Sequence, residues 1–232
     1  MDPRNIQVIA FDADDTLWDC QSHFEAVERL LVSELAPWGA PETVSQALWE
    51  TETGNMAALG FGSKAFCISL VETAIRLSDG AVDAARIGRI LAAGKSLLRI
   101  PATPFPGVRE TLAALRQSGR WKMVVFTKGD QNEQEDKLNR SGLMPYFDEM
   151  EIAASKGVPE FRRLCNRLRI APEQLLMVGN SFKSDIEPLL QLGGSGILVP
   201  APLLWKMEHA EEYDHPGFLK IGSFPELLGV LS

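Results

Sequence analysis

Cysteine and histidine are scarce in this sequence, and both shortages narrow the classes of protein to which it could belong. Only three of each occur in 232 residues. His23, His209 and His215 are isolated, which argues against a histidine-based metal site. The cysteines Cys20, Cys67 and Cys165 are odd in number and widely spaced. We therefore expect thiols in a reducing cytoplasm, with no disulfide framework and no cysteine-based metal site.

Long apolar runs and an excess of positive charge are also missing. No segment approaches the roughly 20 apolar residues that a membrane-spanning helix needs. Residues 1–12 lack the basic region and long apolar core of a signal peptide, so we expect none. The formal net charge is −8, which disfavours nucleic acid or an anionic membrane as a partner. A small anionic substrate stays compatible with this charge if positive residues are concentrated locally.

Short apolar runs that end in polar turns predict the strands of a parallel sheet. The runs are QVIAFD (7–12), KMVVFT (122–127), EIAA (151–154), LLMVGN (175–180) and GILVP (196–200). They are continuous rather than alternating, as expected of strands that are covered on both faces. Helical patterns separate the later runs, which favours right-handed crossovers. The predicted fold class is therefore α/β, with a doubly wound parallel sheet. The irregular segment 202–218 is expected to be a surface loop.

A helical segment interrupts this alternation after the first strand. Residues 18–103 contain helical patterns and no convincing strand. In FEAVERLLVSEL (24–35), for example, the apolar residues fall on one stripe of a helix. PATPFPG (101–107) is typical of a stiff linker that returns the chain to the sheet. We therefore predict an α/β catalytic core of residues 1–17 and 104–232, with an inserted all-helical domain between these two segments.

Polar residues follow the predicted strands at their carboxyl ends, where ligands bind in parallel sheets. These residues are Asp12, Asp14 and Thr16; Thr127, Lys128 and Gly129; Lys156; and Asn180, Ser181, Ser184 and Asp185. Crowded carboxylates repel each other unless a cation balances them, so a divalent cation and a phosphoryl group would account for the acidic cluster. Asp12 can attack phosphorus and Asp14 can transfer protons. Thr127 and Lys156 can hold the phosphoryl oxygens.

These residues form four motifs that resemble those of the haloacid dehalogenase-like hydrolases. FDADDTLWD resembles the first motif, an apolar strand followed by DxDxT, and VVFTKGD resembles the second, a strand that ends in Thr or Ser. The lysine of ASKGVPEF matches the third motif. LLMVGNSFKSDI resembles the fourth, usually written GDxxxD. The motifs occur in the family's order, and the helical segment lies where members with a type I cap carry it. The resemblance therefore covers nearly the whole chain.

The resemblance implies a Rossmann-like core with a cap domain, and a magnesium-dependent phosphatase. Such an enzyme hydrolyses a small phosphorylated metabolite through an aspartyl-phosphate intermediate. Asp12 would be the nucleophile and Asp14 the general acid and base. Thr127 and Lys156 would bind the phosphate.

The resemblance also implies a Mg²⁺ site. Its ligands would be the Asp12 carboxylate, the Asp14 main-chain carbonyl, and Asn180 and Asp185 of the fourth motif. Asn180 departs from the family pattern, since an acid is usual there. Its amide oxygen can ligate the ion without contributing charge, so we expect weaker affinity and a larger role for Asp185, directly or through water.

Four further residues are predicted to bind substrate. Thr16 and Gly129 lie beside the catalytic residues in sequence. Lys128 adds positive charge next to the second motif and could compete with Lys156 for the phosphate. Lys64 follows a glycine-flanked loop at the start of a predicted helix, where anions are often bound.

Other functions stay open on the sequence alone. A 2-haloacid dehalogenase would use the same nucleophile without magnesium; Asn180 favours this reading and the presence of Asp14 disfavours it. A phosphomutase would share the same residues. A non-catalytic binding module on the same fold would account for the altered fourth motif.

Overall fold

A six-stranded parallel sheet lies at the centre of the fold in this computed structural model, which describes residues 2–232. The strands are β1 (Val8–Phe11), β2 (Lys122–Lys128), β3 (Glu149–Ala153), β4 (Leu175–Gly179), β5 (Ser195–Leu198) and β6 (Phe218–Lys220). They lie in the order β3-β2-β1-β4-β5-β6, and each neighbouring pair is parallel. The predicted α/β fold with a doubly wound parallel sheet is confirmed.

Helices connect the strands and fill the long segment between β1 and β2. The α-helices described in residues 2–232 are α1 (Gln21–Leu35), α2 (Pro41–Leu59), α3 (Ser63–Leu77), α4 (Ala84–Ser96), α5 (Val108–Ser118), α6 (Gln131–Ser141), α7 (Val158–Leu168), α8 (Glu187–Leu190) and α9 (Leu227–Val230). A π-helical turn, Phe182–Ile186, runs directly into α8. Across the described residues, no helix combines the length and the apolar character that crossing a bilayer requires.

Different helices cover the two faces of the sheet. On one face, Phe11 of β1 belongs to an apolar cluster that includes Leu112 of α5. On the other face, Ala10 and Phe126 pack in a cluster with Phe161 of α7, and the two phenylalanine rings meet edge to face at 5.0 Å. Because successive strand residues point to opposite faces and both faces are buried, every position of β1 and β4 is apolar or glycine.

The C-terminal part of the chain differs from the expected surface loop. Lys206–Glu208 forms a 3₁₀ turn, and β6 begins at Phe218, which is paired with Gly196 of β5. This strand has only three residues, of which two are exposed. It therefore lacks the continuous apolar run by which β1, β2, β4 and β5 can be recognised.

The described residues divide into two units. The first contains the whole sheet and comprises the residues up to Gln21, Ala102–Lys128 and Gln134–Ser232. The second comprises Ser22–Pro101 and the short segment Gly129–Glu133. The assignment of residues 18–103 as a separate cap domain stays a prediction.

The second unit is helical and tightly packed at one crossing. A Cβ atom on Gly94 of α4 would lie only 2.6 Å from the sulfur of Cys67 on α3, so these two helices approach closely only because residue 94 has no side chain. The start of α3 is held by Glu133, whose carboxylate accepts hydrogen bonds from the Ser63 amide at 3.1 Å and the Ser63 hydroxyl at 2.6 Å. This unit therefore includes the segment that follows β2.

In the first unit, the chain segments that lead out of and back into the sheet are joined. Trp18 forms an isolated parallel bridge with Asp14 and an antiparallel bridge with Pro104. The Phe105 amide donates a hydrogen bond to the Leu17 carbonyl at 2.8 Å. The two connecting segments therefore form a short ladder within the first unit.

Candidate active site

The candidate site lies where the strand order reverses. From β1 the chain proceeds to β2 and β3 on one side, whereas β4, β5 and β6 lie on the other. Asp12 directly follows β1, and its amide donates to the Val178 carbonyl of β4 at 2.9 Å. Asn180 directly follows β4. Both residues therefore lie at the carboxyl edge of the sheet, at the position where open α/β sheets bind ligands.

Lys156 bridges two buried carboxylates at this edge. Its Nζ donates to Oδ1 of Asp12 and, at 2.7 Å, to Oδ1 of Asp185. The exposed fractions of the three side chains are 1% for Lys156, 10% for Asp12 and 2% for Asp185. Asp12, Lys156 and Asp185, predicted from three separate motifs, are thus brought together. One ammonium group faces two carboxyl groups, so this cluster carries a net negative charge when both are ionised.

Burial sets the protonation behaviour of this cluster. It raises the pKa of Asp12 to about 7, with Lys156 opposing the rise and Asp185 adding to it. Burial lowers the pKa of Lys156, but the charges of Asp12 and Asp185 outweigh this effect and raise it overall. The lysine therefore stays charged, and Asp12 is a carboxylate whose ionisation depends on its positive neighbours.

Thr16 links the first motif to the fourth. Its hydroxyl lies 3.0 Å from Oδ2 of Asp12 and 3.2 Å from the amide oxygen of Asn180. Because a hydroxyl has a single proton, these two oxygens share one donor. Oxygen atoms from the ends of β1 and β4 therefore converge on the same point.

Gly179 makes room for the Asp185 carboxylate. A Cβ atom at this position would lie 2.3 Å from Oδ2 of Asp185. The same oxygen accepts a hydrogen bond from the Ser181 amide at 2.9 Å. The glycine that ends β4 is therefore required by the close approach of the acidic side chain, which the π-helical turn directs back toward the strand.

Asp14 is held by several donors. Lys137 contacts Oδ1 at 2.8 Å and Oδ2 at 2.6 Å, while the Trp18 indole donates to Oδ1 at 2.8 Å and the Gln134 amide to Oδ2 at 2.9 Å. Lys137 is 2% exposed and Asp14 is 26% exposed. Burial alone would raise the pKa of Asp14, but the charge of Lys137 and these hydrogen bonds outweigh it and lower the pKa overall. Asp14 is thus a fixed carboxylate that favours its ionised form.

Thr127 is joined to Asp14 through Gln134. The Gln134 side-chain amide donates to the Thr127 hydroxyl at 3.1 Å as well as to Asp14. Thr127 is buried. The predicted residues of the first and second motifs are therefore positioned by one shared side chain of α6.

Lys128 contacts the fourth motif and the C-terminal part of the chain. Its ammonium donates to the Ser184 hydroxyl at 3.0 Å and to the Glu208 carboxylate at 2.5 Å.

The two remaining residues predicted to bind substrate belong to the second unit. There Gly129 adopts a φ of +129°, and Lys64 is paired with Asp130 at 2.9 Å. The substrate-binding roles of these three residues stay predictions.

Most of the sequence matches a known family. Residues 6–193 match the haloacid dehalogenase-like hydrolase family. This chain is a haloacid dehalogenase-like hydrolase. The resemblance inferred from the four motifs and the prediction of a hydrolase are both confirmed.

Individual relatives agree with this assignment. The chain is 27% identical over 208 residues to the glyceraldehyde 3-phosphate phosphatase of Methanothermobacter thermautotrophicus, covering 85% of this chain and 87% of the relative. It is 29% identical over 190 residues to the pyrimidine 5′-nucleotidase of Escherichia coli, covering 77% of this chain and 79% of the relative. The crystal structure of a haloacid dehalogenase-like family hydrolase from Xanthomonas campestris superposes with a TM-score of 0.87 at 31% identity, covering 98% of this chain and 92% of that one.

Besides Trp18 of the first motif, three residues of this haloacid dehalogenase-like hydrolase were not expected at the site. They are Gln134, Lys137 and Glu208. A signal for the first two is present in α6, where the buried stripe consists of Glu133, Gln134, Lys137, Leu138 and Ser141. A helix that is polar on every face must bury polar side chains when it packs on a sheet. Glu208 follows no strand and has no comparable signal.

The donor set of the hydrolase fits a hard divalent cation. The Asp12 carboxylate and the Asn180 amide oxygen lie within reach of the same Thr16 hydroxyl, and oxygen atoms are the ligands that Mg²⁺ prefers. Both oxygens of Asp185 already accept hydrogen bonds, from Lys156 and from the Ser181 amide. Within residues 2–232 there is no cluster of three or more His, Cys, Asp or Glu side chains arranged to hold a metal. A cation here would therefore depend on amide and main-chain oxygens as well as carboxylates.

Proposed function

We propose that this hydrolase is a phosphatase that cleaves a small phosphorylated metabolite through an aspartyl-phosphate on Asp12. The main support is the pair of anchored carboxylates that follows β1. Asp12 contacts a buried ammonium group from Lys156, and Asp14, two residues later, is fixed by Lys137. One carboxylate can thus act as nucleophile while the other transfers protons.

In the first half-reaction, an Asp12 oxygen forms a bond to phosphorus and the ester P–O bond breaks. The Lys156 ammonium, which pairs with Asp12 before the reaction, can then stabilise the negative charge of the phosphoryl oxygens. Asp14 gives its proton to the leaving oxygen. Because the pKa of Asp14 is held below its ordinary value, the approach of the anionic substrate must raise it before this proton is available.

In the second half-reaction, water attacks the phosphorus of the acyl phosphate. Asp14 takes the proton from this water, and the bond between phosphorus and the Asp12 oxygen breaks. Inorganic phosphate leaves, and both carboxylates return to their starting states. The low pKa of Asp14 favours the ionised form that takes the proton from water in this second half-reaction.

Magnesium is part of this proposal. The Asp12 carboxylate, the Asp14 carbonyl, the Asn180 amide oxygen and Asp185 would hold the ion. When bound, it would offset the negative charge of the carboxylates and the phosphoryl group. The neutral Asn180 supports the expectation that affinity for the ion is modest.

The substrate class is proposed from the relatives. Their names specify glyceraldehyde 3-phosphate and pyrimidine 5′-nucleotides as the compounds on which those proteins act. A small phosphate monoester is the feature common to both. We propose that the helical second unit acts as a cap that selects among such esters.

We also propose that the protein works in the cytoplasm, where its three buried thiols would stay reduced.

The contacts to Asp14 favour the phosphatase over the 2-haloacid dehalogenase. Dehalogenation releases halide, a leaving group that needs no proton. Lys137, Gln134 and Trp18 all hold the Asp14 carboxylate in place. Such a set of donors is expected where the orientation of a proton-transfer group matters.

The test is phosphate release from p-nitrophenyl phosphate, glyceraldehyde 3-phosphate and a pyrimidine 5′-monophosphate, with Mg²⁺ and then with a chelator. We expect magnesium-dependent release by the native protein and its loss in Asp12→Asn. The exposed Asp214 provides a matched control, Asp214→Asn. Full activity of Asp12→Asn would exclude the covalent route, and halide release from a 2-haloacid without added metal would favour the dehalogenase.

A further inference from the structure

We propose that Glu208 is a positioning residue of this site, acting through Lys128 and Ser181. The inference rests on the proposed phosphatase function and deepens it. Glu208 lies in the segment expected to be a surface loop, yet its side chain is only 11% exposed. It is therefore a largely buried acid that the reaction described above does not use.

Glu208 joins two of the motif-bearing segments. One carboxylate oxygen accepts a hydrogen bond from Lys128 at the end of β2, and the other accepts one from the Ser181 hydroxyl after β4, each at 2.5 Å. The Lys128 ammonium also reaches Ser184 at 3.0 Å. Lys128 is 17% exposed, so the ion pair is largely shielded from solvent and is stronger than a surface pair.

The contact to Ser181 leads directly to the catalytic cluster. The Ser181 hydroxyl donates to Glu208 and accepts from the Ser184 amide at 3.0 Å, which caps the π-helical turn. The Ser181 amide donates to Asp185 at 2.9 Å, and Asp185 in turn accepts from Lys156. A change at Glu208 can therefore reach Lys156 through two hydrogen-bonded residues.

The contact to Lys128 controls a charge beside the site. Lys128 directly follows the buried Thr127, and without a partner its ammonium would attract the phosphoryl group away from Lys156. The Glu208 carboxylate balances that charge and fixes the ammonium against Ser184. Glu208 thus keeps Lys156 as the lysine that meets the phosphate.

The segment that carries Glu208 is itself anchored. Lys183, within the π-helical turn, donates to the Met207 carbonyl at 2.8 Å. The 3₁₀ turn Lys206–Glu208 is therefore tied to the fourth motif by its backbone as well as by the Glu208 side chain. This double attachment distinguishes it from an exposed loop.

The experiment compares kcat and KM for p-nitrophenyl phosphate, with saturating Mg²⁺, in the native protein, Glu208→Gln, Lys128→Met and the double variant. Glu208→Gln keeps the size of the side chain and removes its charge. We expect each single variant to lower kcat about tenfold with less than about threefold change in KM, since each leaves a largely buried charge without the opposite charge that balances it. The double variant restores neutrality, so its loss should be smaller than the product of the two single losses.

Controls separate positioning from simple stabilisation. The exposed Glu211 lies three residues away and provides Glu211→Gln, which should match the native protein. Thermal unfolding of every variant should show that they are folded at the assay temperature. Native kinetic constants in Glu208→Gln, or losses in the two single variants that multiply in the double variant, would overturn the role of Glu208 while leaving the phosphatase intact. A native protein that releases no phosphate from any ester would overturn the proposed function and, with it, this assignment.

Discussion

Replacing Lys137 by methionine removes the cation that holds Asp14. The two side chains have nearly the same volume, so the substitution leaves little cavity and mainly deletes charge. Lys137 contacts both Asp14 oxygens and is 2% exposed. In Lys137→Met, the Asp14 carboxylate keeps only the neutral donors Gln134 and Trp18.

The expected loss of stability follows from this burial. Removing one member of a buried ion pair costs about 3–5 kcal/mol, because the remaining charge is left without compensation. Asp14 is 26% exposed, so water offsets part of the penalty and we expect about 3 kcal/mol at pH 7.5. Loss of an exposed pair costs only about 0.5 kcal/mol. Arg163→Met is the matched control, since Arg163 is 69% exposed and pairs with Glu160.

The pH dependence has a definite sign. Because its pKa is lowered in the folded state, Asp14 stabilises the native protein above its unfolded pKa, and this contribution is lost as pH falls through the folded value. In Lys137→Met, burial raises the pKa of Asp14, so the variant gains stability when Asp14 takes up a proton. The difference between variant and native protein should therefore shrink as pH falls from 7.5 to 5.

Urea unfolding at pH 7.5 and pH 5 measures this difference directly, and a double-mutant cycle with Asp14→Asn isolates the pair. In the Asp14→Asn background, Lys137→Met should cost much less than in the native background. The reasoning is refuted if Lys137→Met costs no more than Arg163→Met, or if its cost is the same at both pH values.

Three further substitutions follow from single contacts. Gly179→Ala would place a Cβ atom 2.3 Å from the Asp185 carboxylate, so we expect kcat to fall on the order of 100-fold. Gly229→Ala is the control: no atom lies within 4 Å of a Cβ atom there, so this variant should retain native kcat. Burial raises the pKa of Asp15 to about 7, so ionisation of Asp15 destabilises the native protein as pH rises from about 4 to 7. Asp15→Asn should therefore raise the melting temperature at pH 8.5 and have little effect at pH 4. Burial and the charge of Glu28 raise the pKa of Glu52 to about 7, so the stability of the native protein changes with pH in the same direction. Glu52→Gln should raise the melting temperature at pH 8.5, and an equal effect at pH 4 would contradict this explanation.

The strands that carry the site could be predicted because they are buried on both faces. Continuous apolar runs such as Val8–Phe11 and Leu175–Gly179 are hard to explain in any other setting. The edge strand Phe218–Lys220 gives no such signal, because it pairs with a single strand, has only three residues and exposes two of their side chains. Burial does not decide this alone, since β3 has no fully buried residue and is still indicated by the run EIAA (151–154).

The site residues divide in a similar way. Asp12, Lys156 and Asp185 could be placed together because each follows a strand, and parallel strands end at a common edge. Lys137 and Glu208 reach the site from a helix and from a 3₁₀ turn, so their position depends on tertiary packing. The polar character of α6 indicates that Lys137 is buried but not which residue it contacts, and Glu208 has no local signal. Lys128 shows the difference between predicting a position and predicting a contact. The sequence indicates that Lys128 lies near the site, but the Glu208 carboxylate that binds it is 80 positions away in the sequence.

The ladder formed by Trp18 with Pro104 also bears on how this architecture can vary over evolution. The chain leaves and re-enters the first unit at neighbouring points, held by the hydrogen bond from Phe105 to Leu17. Closing the intervening loop therefore costs the sheet almost the same entropy whether that loop is long or short. Insertions, deletions or complete exchange of residues 22–101 can accumulate without displacing Asp12 or Asp14. If the proposed roles hold, the substrate selected by the second unit can thus change while the proposed chemistry of these two residues is retained.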